Sequence, residues 1–292
     1  MGYILVADIG GTKLATAIFE HGKPLRMIAQ QEQPSSQEEQ ALFDQLINGF
    51  EQLYTANHVQ KEKIEVVSVG LPGVLNLAKG VVLYQNNLPW SGFPLVERLL
   101  ERFPNSKIIM DNDVYMAASG EYQAREFTTE TFVYVTLSTG IACCTIANGQ
   151  FLRGVGMAGE IGFSLTDTSL MLEQYVAGPA LEARINKQTG KQEPLSTIME
   201  KYYRNDEIVL PIIAEAVDHI ARQLHNVLIL LDPHVIVLGG GVFNHHPKLV
   251  QVVQRKLGDY LTTPLLHGKE NRVEASIFKG NAGLIGAASR GI

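Results

Sequence analysis

Cysteine is almost missing from this chain of 292 residues: only Cys143 and Cys144 occur. Adjacent residues on a strand point to opposite faces, so these two are badly placed to bond each other. A disulfide framework is excluded, and the expected compartment is the reducing cytoplasm. No apolar run reaches the roughly 20 residues that a spanning helix needs, so no membrane crossing is expected. The segment from Met1 to Asp8 lacks the basic region and small-residue cleavage site of a signal peptide. Val6 stands where a myristoylation signal wants Ser or Thr. A basic stripe is lacking too. The formal net charge is −6 and the basic residues are scattered, which argues against a nucleic-acid partner. The run Lys61-Glu62-Lys63 mixes signs and reads as a solvated face.

What remains is a globular composition, 46% apolar and 18% charged. The length suits two lobes of roughly 120 to 150 residues better than one core. Tyr3 to Ile9 reads as a buried strand ending in Gly10-Gly11-Thr12, followed at once by a second strand, Leu14 to Phe19, and a turn at His21-Gly22-Lys23. Ser35 with Glu38 reads as a capping box ahead of apolar residues at helical spacing, Leu42 to Tyr54. Strands are expected at Ile64 to Val69, Val81 to Tyr84 and Lys107 to Met110, with a short helix from Pro94. Strands alternating with helices indicate a mostly parallel sheet with helices on its faces.

The opening pattern then recurs. Phe132 to Gly140 parallels Ile4 to Thr12 about 130 positions earlier, and each copy leads through a small-residue turn into another apolar strand. A duplicated fold with one phosphate-facing hairpin per lobe is expected. Beyond it come a long helix from about Glu207 to Leu230, a strand Val235 to Leu238 ending in Gly239-Gly240-Gly241, and a helix near Pro247 to Leu257. A strand near Val273 to Phe278 and a small-residue helix from about Asn281 to Ser289 close the chain.

Chemistry concentrates in a few places. In Asp8-Ile9-Gly10-Gly11-Thr12-Lys13 the glycines permit a tight turn and close approach of backbone N–H groups to a phosphate. Asp8 at the strand end suits Mg²⁺ held through water, and Thr12 and Lys13 are expected to reach phosphate oxygens. An ordinary hairpin turn is the plainer reading. Asp111-Asn112-Asp113 sits where a strand gives way to a helix, and capping alone needs fewer polar residues. A carboxylate there can accept a hydroxyl proton while the alcohol oxygen attacks a γ-phosphate. Glu160, among glycines from Gly156 to Gly162, and Glu173 can accept hydrogen bonds from vicinal hydroxyls, as a sugar-gripping pair would. The glycine run at 239–241 fits close approach of a nucleoside or a plain turn. His245-His246 reads as solvent-facing at a helix start.

Taken in order, these motifs resemble the ROK family (repressors, uncharacterised reading frames and kinases) of the actin-like sugar kinases, over essentially the whole chain. Asp8 to Lys13 resembles its first phosphate motif, Thr136 to Gly140, including Ser138 and Thr139, its second, and Gly239 to Gly241 its adenosine motif. The resemblance implies two actin-like (ribonuclease H-like) α/β lobes with mixed sheets and a cleft between them. The lobes would be residues 1–117, with a closing helix near 281–292 packing back, and a larger 118–280. It implies ATP and Mg²⁺ as cofactors and Asp113 as catalytic base. Asn87, Asn112, Glu160, Glu173 and Gly73 would line the sugar, whose C6 hydroxyl is the acceptor.

Three departures are visible. Ala142-Cys143-Cys144 replaces the glycines that often follow the second phosphate motif. Ser164 to Met171 holds no Cys or His, so no structural zinc is expected. Phe163 stands where a His is usual, which suggests a changed preference at the anomeric end of the sugar. Glucose, a β-glucoside, N-acetylmannosamine and fructose all offer a suitable hydroxyl. A sugar-sensing regulator and a sugar-independent ATPase are the rival readings. The regulator would need a helix-turn-helix ahead of Tyr3, where the first phosphate strand already begins. Oligomeric state stays open, a homodimer being the commonest arrangement.

Overall fold

The structure is a computed structural model that describes residues 2–85, 87–167 and 170–292. The chain divides into two compact units, residues 1–126 with 281–292, and residues 127–280. The boundary expected at 117 moves. The helix that starts at Asp113 runs through that point to Ala124, so the first unit carries on past it.

In the first unit, strands β1 (Tyr3–Ile9), β2 (Lys13–Glu20) and β3 (Arg26–Pro34) form an antiparallel meander. Helix α1 (Glu39–Ala56) leads to β4 (Ile64–Leu71), which lies parallel to β1. A small hairpin, β5 (Val74–Asn76) and β6 (Val81–Tyr84), and helix α2 (Leu95–Arg102) precede β7 (Lys107–Asn112), parallel to β4. Helix α3 (Asp113–Ala124) follows. The sheet order is β3-β2-β1-β4-β7. Its central strands are buried on both faces, which is why they read as continuous apolar runs. On β1, Leu5, Ala7 and Ile9 pack with Leu42, Phe43 and Leu46 of α1. Ile4 and Val6 pack the other way, with Met116 of α3 and Leu284, Ala287 and Ala288 of the closing helix, Ala282–Ser289. Period-2 alternation therefore puts Asp8 on the α3 face. Close packing there rests on small residues: a Cβ on Gly120 of α3 would lie 2.9 Å from the backbone nitrogen of Gly286.

The second unit repeats this wiring. Strands β8 (Phe132–Leu137), β9 (Ile141–Ala147) and β10 (Gln150–Phe151) form the meander. After α4 (Leu172–Val176), α5 (Gly178–Thr189), α6 (Leu195–Tyr203) and α7 (Val209–Leu231), strand β11 (Val235–Gly239) lies parallel to β8. Helices α8 (Gly240–His245) and α9 (Pro247–Gly258) lead to β12 (Val273–Ala275), beside β11, and the closing helix is α10. The order β10-β9-β8-β11-β12 matches the first sheet strand for strand. Asn148 and Gly149, both at positive φ, make the tight β9–β10 turn.

Some expectations need correcting. Ser35 and Glu38 form no capping box: the Ser35 hydroxyl donates to the Gly10 carbonyl at 2.7 Å, and Glu38 itself is the N-cap of α1 without a side-chain bond. Strand β12 stops at Ala275, three residues short of the expected end. His245 is exposed but ends α8, and His246 is half-buried against Tyr203. Strands β3 and β5 and helices α4 to α6 have no counterpart in the sequence reading.

Candidate active site

In the first unit the β1–β2 turn is closed by the Gly10 N–H, which donates to the Lys13 carbonyl at 2.8 Å. A Cβ on Gly11 would lie 2.6 Å from Cβ of Asn87, so only glycine lets the Asn87 segment rest on this turn. That segment is anchored by Trp90, fully buried, whose indole N–H donates to the Glu39 carbonyl at 3.0 Å. Asn87 is exposed beside the turn, while Asn86 lies outside the described residues. Thr12 is exposed as well, and Lys13 is paired with Glu32 at 2.8 Å.

Asp8, Gly70 and Asp111 occupy one row across β1, β4 and β7. The Asp8 carboxyl pKa is pushed up to about 7, first by burial and then by the charge of Asp113. A side chain on Gly283 of α10 would overlap the Asp8 carboxylate. Asn112 caps α3: its Oδ1 accepts from the Val114 N–H at 3.0 Å, so the cap uses the amide oxygen and not the NH₂. Asp113 is half-buried at the first turn of α3, with Oδ1 accepting from the same N–H at 2.9 Å. Capping is thus part of what Asn112 and Asp113 do. Asp111 is buried, and Arg290 donates to its Oδ2 at 2.8 Å. Gly73 has a φ of +93°, and a Cβ there would meet the Tyr84 carbonyl and the Gln85 side chain. Its contacts are with the base of the Asn87 segment, which gives it a backbone role.

In the second unit the Ser138 N–H donates to the Gly140 carbonyl at 2.8 Å and closes the β8–β9 turn. The Ser138 carbonyl accepts from Gly178 at the start of α5, at 2.9 Å. Ser138 and Thr139 are exposed. The glycine run lies against the same strand. A Cβ on Gly239 would overlap the Tyr134 hydroxyl, and one on Gly240, whose φ is +83°, would lie 2.5 Å from Thr136 Oγ1. Packing therefore accounts for two of these glycines. Gly241 alone has room, since a Cβ there would come no closer than 3.6 Å to Ser138 Oγ.

Glu160 and Glu173 are both exposed and near enough to interact. The Glu160 pKa is raised, by partial burial and then by the charge of Glu173. Glu173 also reaches the second turn: its Oε2 accepts from the Ile141 N–H at 3.3 Å. The Cys143 thiol is pushed up to about 12 by burial and by Glu160, which makes it inert at neutral pH. Phe163 is more than half exposed. Two short arms, Ser164–Asp167 and Leu170–Met171, pair as a hairpin, with Leu165 opposite Met171 and the Thr166 N–H donating to the Leu170 carbonyl at 2.8 Å; Thr168 and Ser169 lie outside the described residues.

Sequence reasoning missed Arg290, Gly283 and Gly178. Arg290 and Asp111 are 179 positions apart, and no local pattern links them.

The ROK family model matches residues 4–290. The chain belongs to the ROK family. Similar ROK proteins include an N-acetylmannosamine kinase of Pasteurella multocida, 31% identical over 97% of this chain and 94% of that protein. A glucokinase of Halalkalibacterium halodurans is 25% identical over 96% and 92%. A ROK glucokinase of Streptomyces griseus, solved with glucose and AMPPNP, superposes with a TM-score of 0.83 at 21% identity over 99% of both chains. The expected actin-like α/β fold with mixed sheets is the fold of this ROK chain. Among the described residues no helix is long and apolar enough to cross a membrane.

Proposed function

We propose that this chain is an ATP-dependent sugar kinase that phosphorylates the C6 hydroxyl of a hexose or hexose derivative. The observation that carries the reading is that Asp8 and Asp113 flank Gly70 of β4: Asp8 is its partner on β1, and a Cβ on Gly70 would lie 3.7 Å from the Asp113 Cα. Two carboxylates feel each other at the ends of neighbouring elements, beside a glycine turn suited to phosphate. The names of the ROK relatives, an N-acetylmannosamine kinase and a glucokinase, support the same reaction class.

The Asp113 carboxylate takes the proton from the acceptor hydroxyl as that oxygen bonds to the γ-phosphorus. The bond from phosphorus to the bridging oxygen breaks, and ADP leaves. Asn112, through its amide NH₂, and Asn87 orient the acceptor; Glu160 and Glu173 accept from its hydroxyls. The turns at Gly10–Thr12 and Ser138–Gly140 offer N–H groups to phosphate oxygens, and Gly241 gives a nucleoside room. Among the described residues no group of three or more acids, histidines or cysteines is arranged for a metal. Mg²⁺ needs only one or two carboxylates besides phosphates and water. Asp8, with excess negative charge beside it, would hold that cation through water, and the cation would offset charge on the phosphates. The two buried cysteines, Cys143 and Cys144, fit work in the cytoplasm.

An ADP-coupled assay over glucose, N-acetylmannosamine, N-acetylglucosamine, fructose and β-glucosides tests this. One or more should be phosphorylated, and Asp113→Asn should cut turnover by roughly two or more orders of magnitude while sugar still binds. Sugar-independent ATP hydrolysis as the main activity, or near-normal turnover in that variant, overturns the reading.

A further inference from the structure

A separate cavity of about 400 Å³ lies in the second unit, between the Ser164–Asp167 arm of the hairpin and helix α7. Neither Glu160 nor Glu173 lines it. Its volume is that of a small-molecule pocket. His219, Arg222, Gln223 and Asn226 line it at positions i, i+3, i+4 and i+7, so they share one face of α7. The opposite face, including Ile213, Ala216, Ile220 and Leu224, is core. An amphipathic helix usually turns such a polar stripe to bulk water. Here it is partly roofed by the hairpin.

His219 is the informative residue. It is only 7% exposed, its ring lies 4.7 Å from that of Tyr175, and it makes no hydrogen bond among the described residues. Its Nε2 stands 4.0 Å from Asp167 Oδ1, too far for a hydrogen bond. A hydroxyl seated between them can accept from the imidazole N–H and donate to the carboxylate, a dual role that neither a carboxylate nor a phosphate dianion can fill. The charges point the same way. Arg222 is bonded to Asp218 at 2.7 Å, and Asp218 also takes Lys256 at 3.3 Å and the Tyr260 hydroxyl. Among the described residues the cavity thus offers an anion no uncommitted Lys or Arg, whereas two amides, the two imidazoles of His219 and His225, and a carboxylate suit vicinal hydroxyls.

We propose that this cavity is a second carbohydrate site, which takes one neutral polyhydroxylated ring with a hydroxyl bridging His219 and Asp167. It is independent of the acceptor site. The test follows the imidazole Cε1–H resonance of His219, assigned with His219→Phe, as glucose, N-acetylmannosamine, myo-inositol and inorganic phosphate are each added at millimolar concentration. One or more of the three polyols should shift it and phosphate should not. The shift should persist in Glu160→Gln, and Asn226→Leu, on the exposed part of the stripe, should weaken it by about tenfold. Three outcomes overturn the proposal: no polyol moves the resonance, phosphate alone moves it, or the shift disappears in Glu160→Gln and so was transmitted from the acceptor acids. Because the readout is binding in a protein with an acceptor acid removed, failure of the kinase assay would leave this site standing.

Discussion

Arg290, at the end of α10, donates to the carboxylate of Asp111 at the end of β7, only two residues before Asp113. Asp111 is 1% exposed. A buried carboxylate that loses a cationic partner is costly, because neutral donors such as the Asn112 N–H on Oδ1, at 2.9 Å, do not balance its charge. Arg290→Met should therefore lower stability by about 2 to 4 kcal/mol, read by urea unfolding. It should also slow turnover more than it alters acceptor KM, since what shifts is the start of α3. A variant as stable and active as wild type would remove Arg290 from this positioning role.

Two glycines of α10 should fail in different ways. A methyl on Gly286 would run into the Met116 carbonyl, which is helix backbone and cannot yield without separating α3 from α10. Gly286→Ala should cost roughly 3 kcal/mol or more. A methyl on Gly283 meets the tip of a side chain, the Asp8 carboxylate, which can rotate away. Gly283→Ala should cost only about 1 kcal/mol yet reduce kcat/KM by about tenfold or more through the displaced carboxylate. Thermal melts alongside steady-state kinetics separate the two. Equal effects of both substitutions on stability would count against the contrast.

The duplicated hairpins were legible because glycine-bearing turns and uninterrupted apolar strands are local signals. Asp8 and the two turns followed from that, whereas Asp113 was picked out of Asp111-Asn112-Asp113 by the family resemblance. Strand β3 was not legible: Gln30, Gln31, Glu32 and Gln33 carry no clear alternation, and as an edge strand it needs little burial. Helices α4 to α6 were hidden by Gly178-Pro179, Gly190 and Pro194, which read as loop although Pro179 only opens a helix and Gly190 only closes one. The Ser35 capping box failed because its hydroxyl is taken by Gly10, a partner 25 positions away. Pairing of Arg290 with Asp111 and the overlap of Gly283 with Asp8 belong to tertiary packing, which a linear pattern does not encode.

Glu173 touches both the Ile141 N–H and the field of Glu160. Glu173→Gln keeps an acceptor oxygen for the N–H but removes the charge. The Glu160 pKa should then fall toward its ordinary value, partial burial being the cause that remains. Acceptor KM should rise about tenfold, one charge-assisted hydrogen bond having become neutral, with the KM for ATP little changed. Initial-rate kinetics varying each substrate in turn check this. A rise confined to the KM for ATP would assign Glu173 to the phosphate turn instead.

Asp8 gives the chain a pH signature. Its pKa rises from 3.8 unfolded to about 7 folded, through burial and the charge of Asp113. An acid raised on folding holds its proton more tightly in the native state, so stability falls as pH climbs through the window between those values. Below that window the wild type bears no penalty from this group; above it the penalty is complete. Asp8→Asn carries no titrating proton there. In metal-free buffer it should match wild type near the acid end and exceed it by on the order of 2 to 4 kcal/mol at about pH 8. The variant should nevertheless lose most of its phosphotransfer, since the carboxylate that would hold Mg²⁺ is gone. Urea unfolding across the window measures the first effect. Parallel stability curves for the two proteins would mean that Asp8 is already ionised in the free enzyme, and that burial does not hold its proton.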